Sequence, residues 1–151
     1  MRMHCYEIIV NNLKIRYNIV NYLWIYDKNG GIVMITKTTD LGDIHLSLDV
    51  VASITGGAAT ECYGVVGMAS HKIMKDGFYD LLGKDNYAKG IVVEDGETGI
   101  ILNVYIIVGY GVKISEVVYE VQKKVKYVLE TTLDIDIEAV NVFVQSIRVT
   151  D

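Results

Sequence analysis

At 151 residues, 51% of them apolar, the chain has the length of about one domain and is too hydrophobic for a disordered tail. A net charge of −5 argues against a phosphate-backbone partner, because nonspecific nucleic-acid binding needs a basic face that releases counterions. The two cysteines, Cys5 and Cys62, form neither a metal spacing nor a disulfide framework, which points to a reduced intracellular compartment. The lack of proline excludes a proline-rich linker or ligand motif.

Residues 1–33 differ in character from the rest of the chain. They are rich in Ile, Asn and Tyr, and Asn11, Asn12, Lys14, Arg16, Asn18 and Asn21 interrupt each apolar run. No stretch there approaches the ~20 apolar residues of a membrane span, and none has the pattern of a secretory signal. Asn29-Gly30-Gly31-Ile32 can be encoded by a purine-rich ribosome-binding sequence just ahead of Met34. The expectation is therefore that residues 1–33 are a translated leader or floppy extension and that the domain proper is 34–151. If retained, the extension is expected to be poorly ordered, or to form a weak helix or strand.

From Gly42 to Ser47 polar and apolar residues alternate, the period of a short half-buried strand. Ser47 then suits a helix N-cap, with Asp49 in the first turn. Val50, Val51, Ile54, Ala58 and Cys62 recur at helical steps, and Gly64 is placed to end the helix in a left-handed cap. Gly56 and Gly57 in mid-helix each cost about 1 kcal/mol relative to alanine, which suggests close packing on that face. Met68 to Leu82 carries a weaker helical pattern (Ile73, Met74, Phe78, Leu81, Leu82), followed by a polar loop at 84–89.

Gly90 to Glu94 reads as a strand, Asp95 to Gly99 as a hairpin turn, and Ile100 to Val108 as a long buried strand that Gly109-Tyr110-Gly111 breaks. Ser115 then caps the strongest helix, with Ile114, Val117, Val118, Val121, Val125, Val128 and Leu129 in one stripe. Its other face offers a Glu120/Lys124 pair. Thr132 to Glu138 is a link, and Val140 to Gln145 alternates as a final strand. The order β-α-α-β-β-α-β predicts an α+β fold: a small mixed β-sheet with two main helices on one face, an antiparallel hairpin, and a last strand returning parallel.

Chemistry is sparse. Gly109-Tyr110-Gly111 lacks the third glycine of a dinucleotide turn, and no P-loop is present. His4, His45 and His71 show no ligand spacing, so no metal or cofactor is expected. Cys62 lies on an apolar stripe near a helix C-terminus, which suits a core cysteine better than a thiolate nucleophile. Glu61 borders the packed face and needs a partner, a backbone amide or a lysine. Asp134, Asp136 and Glu138 alternate as a sparse cation site or, more simply, a solvated edge.

The segments GDIHLS, VVASITGGAATECYGVVGMAS, KGIVVEDG, IIVGYGVKISEVVYEVQKKVKYVLE and VNVFVQSIRV occur in that order from Leu41 to the C-terminus. Together they resemble the alkaline-shock, or envelope-stress-response, family of Gram-positive bacteria, in particular its short, YloU-like branch. Residues 1–33 lie outside the resemblance. Thr132-Leu133-Asp134 stands where such proteins often carry a glycine, so the turn before the last strand is altered. The resemblance implies a cytoplasmic, non-enzymatic interaction or scaffold module in cell-envelope homeostasis, with no catalytic residue to carry over. It also implies recruitment to the inner face of the membrane by a membrane-anchored protein. A dihydroxyacetone-kinase-like fatty-acid kinase is a second implied partner, and self-association into a homo-oligomer follows by analogy. The residues flanking the first helix's end and the strand-to-helix turn, Glu61, Tyr63, Met68, Ser70 and Tyr110, are the candidate partner contacts. The alternative, a KH-like nucleic-acid module, needs a GxxG loop with basic flanks. Gly64-Val65-Val66-Gly67 is the nearest approach, and it is apolar with no lysine before Lys72.

Overall fold

Asp40 and Leu41 make a two-residue turn that folds the chain back on itself. In the computed structural model, which describes residues 6–10, 13–18, 22–26, 32–71, 81–82 and 84–149, this turn belongs to an N-terminal antiparallel meander. The meander runs β1 (Tyr6–Val10), β2 (Leu13–Asn18), β3 (Tyr22–Tyr26), β4 (Ile32–Thr39) and β5 (Gly42–Ser47), each strand paired with the next. Of the states expected for residues 1–33, the described ones take the strand. The stretch Gly42–Ser47 is a strand as expected, but it is exposed apart from Leu46 and pairs with β4 rather than joining the helix-covered sheet. Polar cross-strand contacts explain the difference. Thr36 Oγ1 lies 2.9 Å from His45 Nδ1, Thr38 Oγ1 donates to Asp43 Oδ1 at 2.9 Å, and Thr39 Oγ1 donates to the Gly42 carbonyl at 2.9 Å.

Ser47 does cap α1 (Leu48–Thr60): its Oγ accepts from the Val50 N–H at 3.4 Å. Chain contacts divide the molecule into two compact units, Met1–Val51 and Ala52–Asp151, the boundary falling in the first turn of α1. Gly64, at φ 89°, turns the chain out of α1 into a strand, so the Leu48–Met68 stretch is a helix followed by β6 (Val65–Ala69). The second helix expected over 68–82 is not present at either end, since Met68 and Ala69 pair with Leu82 and Leu81 of β7 (Leu81–Leu82). Its middle, 72–80, lies outside the described residues. A 3-10 helix at Lys84–Gly90 stands where a polar loop was expected.

The second unit's sheet is mixed, and α1's C-terminal part and α2 lie on one face of it. β8 (Ile91–Asp95) and β9 (Ile100–Gly109) form the expected antiparallel hairpin, and β10 (Ile137–Arg148) pairs parallel with β9. β9 is central and shared lengthwise. Its first half pairs with β8, and its second half pairs with β6. Leu102, Val104, Ile106 and Val108 alternate along β9 and are fully buried, as are Val121, Val125 and Leu129 of α2 (Ile114–Leu133). Each such side chain contributes about 1.5–3 kcal/mol of hydrophobic stabilisation, which holds together a helix whose valines favour helix poorly.

Both ends of α2 depart from expectation. The N-cap position is Lys113, in extended backbone without a side-chain cap, so Ser115 is already inside the first turn. At the other end Asp134 takes the left-handed conformation (φ 50°, ψ 47°) that a glycine would occupy without strain. Asp134→Gly is therefore expected to be about 1 kcal/mol more stable than Asp134→Ala in urea unfolding. Both variants lose the aspartate's own interactions, so their difference reads the backbone alone. Glu138, for its part, is a structural residue. Its Oε2 accepts from the Thr98 N–H at 2.8 Å and from Thr98 Oγ1 at 3.2 Å, tying β10 to the β8–β9 turn. The Thr98 N–H holds its carboxyl below the usual range. Among the described residues no group of His, Cys, Asp and Glu could hold a metal ion.

Candidate functional site

The register of β6 against β9 brings two turns together. Val65 pairs with Val108, and the Gly109 N–H donates to the Gly64 carbonyl at 2.8 Å, so the Tyr63 turn lies beside the Tyr110 turn. The second turn is fixed in place by the Tyr110 N–H, which donates to the Arg148 carbonyl at 2.7 Å, and by Gly111 at φ 84°. Neither tyrosine is packed inside: Tyr63 is 89% exposed and Tyr110 75%.

Next to Tyr63 a groove of about 520 Å³ runs between the end of α1 and the first turns of α2. Cys62, Val112 and Val117 contribute its apolar lining, while Glu61, Glu116 and Glu120 supply carboxylates and Lys113 and Lys124 amines. Of the two partners expected for Glu61, a backbone amide or a lysine, the structure supplies the lysine: Lys124 Nζ lies 2.7 Å from Glu61 Oε2. This contact lowers the Glu61 carboxyl's pKa and raises that of the Lys124 ammonium. The expected Glu120/Lys124 pair is accordingly replaced. Lys124 turns to α1, and Glu120 is held by Lys123 at 3.3 Å. Lys113 pairs with Glu116 at 2.7 Å.

Cys62 is a core thiol. It is buried, its Sγ donates to the Ala58 carbonyl at 3.5 Å, and burial pushes its pKa up, away from the thiolate a nucleophile needs.

Of the five candidate contact residues, the structure assembles three: Glu61, Tyr63 and Tyr110. Met68 must be withdrawn, because its side chain is 0% exposed in β6 and has no surface to offer. Ser70 follows β6 at its far end, half-buried and already engaged in an interaction. Lys124 and Lys113 were not among the residues expected from sequence. Lys124 sits next to Val125 and so borders the buried apolar stripe of α2, a signal that could have marked it as a partner for Glu61. The GxxG approach is no loop, since Val65 onward is strand and Gly67 is buried opposite Ile107.

The residues of β9 between the helix-facing ones carry a second polar and aromatic set. Asn141 Nδ2 donates to Asn103 Oδ1 at 2.9 Å, and Asn103 Nδ2 donates to Glu94 Oε1 at 2.8 Å. One step along, Tyr105 and Phe143 stack with ring centroids 4.7 Å apart.

Fold and site together define a small α+β module whose assembled surface is a pair of exposed tyrosines beside a charged groove. The sequence profile of the ASP23 family, described as having a cell envelope-related function, matches residues 36–149, and the chain belongs to that family. It is 53% identical over 108 residues to the uncharacterized protein Spy1614 of Streptococcus pyogenes serotype M6, covering 72% of this chain and 89% of that protein. It is 46% identical over 113 residues to the uncharacterized protein YloU of Bacillus subtilis, covering 75% of this chain and 94% of YloU. Identity to YqhY of the same bacterium is 30% over 112 residues, covering 74% of this chain and 82% of that protein. The YloU-like resemblance therefore holds. No solved structure gives a significant match. Among the described residues no helix is long and apolar enough to cross a membrane.

Proposed function

We propose that the chain is a non-enzymatic interaction module of cell-envelope homeostasis, working in the cytoplasm and brought to the inner face of the membrane by a protein partner. The observation that carries this reading is the hydrogen bond from Gly109 to Gly64, which sets the turns that carry two exposed tyrosines side by side. Tyrosine is enriched at the energetic centres of interfaces, where a rigid ring with a polar tip gives area at low entropic cost. The family's cell envelope-related description supports the setting. A membrane-anchored protein, a dihydroxyacetone-kinase-like fatty-acid kinase and a second copy of the chain are the candidate partners.

The test is the double variant Tyr63→Ala/Tyr110→Ala, followed by crosslinking capture from the native cell and by sedimentation. Captured partner, or self-association, is expected to weaken by about tenfold or more while the circular dichroism spectrum stays unchanged. Unaltered capture and sedimentation would overturn the proposal.

A further inference from the structure

We infer that two copies of the chain join through the open edge of β10, antiparallel and about a two-fold axis at Phe143, so that one sheet runs through both. This joint uses a surface other than the tyrosine turns and does not rest on the role given to them. β10 lies at the end of the second unit's sheet: β9 pairs with one side of it, and among the described residues no strand pairs with the other. Such an edge presents unpaired backbone donors and acceptors that a further strand can satisfy. Charges and prolines are the usual means of blocking an edge, and Ala139 to Ile147 contains neither.

Two features fit this edge to a second copy of itself. The first is the ring of Phe143. One of its faces stacks on Tyr105, with centroids 4.7 Å apart and planes 13° from parallel, so the second face is turned away from Tyr105 toward the open edge. The side chain is 43% exposed there. A residue on a two-fold axis between antiparallel strands faces its own copy, at the spacing where cross-strand rings meet. Phe143 would then stack on Phe143 of the other copy as it already stacks on Tyr105.

The second is charge. Glu138 and Arg148, both exposed, lie five positions before and five after Phe143. Antiparallel pairing centred on Phe143 brings each beside its opposite on the other copy, and symmetry does so twice. A parallel arrangement sets like charges together. Two observations thus give one register. The strand's register shifts, at Ile137/Ala139 and Val144/Ser146, confine regular pairing to the residues around Phe143, and Gln122 Nε2 already donates to the Val140 carbonyl at 2.9 Å. The association is accordingly a reversible one that depends on concentration.

The experiment is analytical ultracentrifugation of the full chain over a range of concentrations. Wild type is expected to shift from monomer to dimer, and Phe143→Lys, which opposes two ammonium groups on the axis, to weaken the dimer by about tenfold or more. Glu138→Arg and Arg148→Glu should each weaken it by about fivefold, since either change sets like charges together at both ends. An equal mixture of these two variants should recover association, because unlike charges meet again between copies of opposite kind. A variant that fails to fold cannot produce that recovery. A monomer at the highest soluble concentration, a dimer unchanged by Phe143→Lys, or a mixture no better than its components would each overturn the inference. Crosslinks from position 143 to a different protein, with the chain itself monomeric, would overturn it in favour of another chain's strand on this edge. Tyr63→Ala/Tyr110→Ala should leave the dimer intact, so loss of capture in that variant together with failure of the β10 tests removes the dimer and keeps the interaction role.

Discussion

Gly56→Ala is expected to destabilise the fold by about 2 kcal/mol, whereas Gly57→Ala, one position on, is expected to stabilise it by up to about 1 kcal/mol. A Cβ on Gly56 would lie 2.5 Å from Cγ and 2.7 Å from Cβ of Tyr87, in the 3-10 helix packed against α1. These atoms are the root of a nearly buried ring, not its mobile end, and Thr60 Oγ1 lies 3.5 Å from the same tyrosine's hydroxyl. The ring must leave its site or the helix must move, and either costs more than alanine's helix propensity returns. A Cβ on Gly57 meets nothing within 4 Å, so only the propensity gain remains. Urea unfolding of both variants reads the opposite signs. In a double-mutant cycle, Tyr87→Ala should remove most of the penalty of Gly56→Ala, since the two share one contact.

Gly64→Ala combines two penalties and is expected to cost about 3 kcal/mol. Its φ of 89° is one that residues with a Cβ rarely adopt, and the added atom would lie 2.7 Å from Val117 Cγ2 and 3.3 Å from Val112 Cγ1. Val117→Ala in the same chain should recover the steric part and leave the conformational part of about 1 kcal/mol. Full recovery by Val117→Ala would show that backbone strain contributes nothing at this turn. The measurement also bears on the groove, because Val112 and Val117 belong to its apolar lining.

These glycines show how far the sequence could be read. A Gly-Gly pair in mid-helix announces a close approach, yet propensity treats both residues alike. Only the position of Tyr87, contributed by a segment far along the chain, separates the one that is needed from the one that is not. The apolar stripe of α2, the hairpin at Asp95–Gly99 and the parallel return of β10 were legible because each is a periodic or local signal. The β4–β5 hairpin was missed because β4 does not alternate: Ile32 to Ile35 is an unbroken apolar run and Thr36 to Thr39 a polar one, with Thr36 and Thr38 facing His45 and Asp43. A helix was expected over 68–82 because Ile73, Met74 and Phe78 recur at helical steps, although Val65–Ala69 pairs with β9. At the candidate site, Glu61's need for a partner, a backbone amide or a lysine, followed from its place beside a packed face. Which lysine answered, and that Met68 turned inward, depended on the register of β6 against β9.

The shared use of β9 also bears on the order in which the sheet assembles and opens. Its first half closes with β8 across a short turn, a contact that costs little chain entropy. Its second half must wait for β6, which comes from the other side of the 3-10 helix and the segments before it. On chain entropy alone, the end of the sheet that joins Gly64 to Gly109 is therefore expected to close later than the hairpin end and to open before it. In native-state hydrogen exchange the Gly109 amide, bonded to the Gly64 carbonyl, should accordingly exchange ahead of the amides that pair β8 with β9.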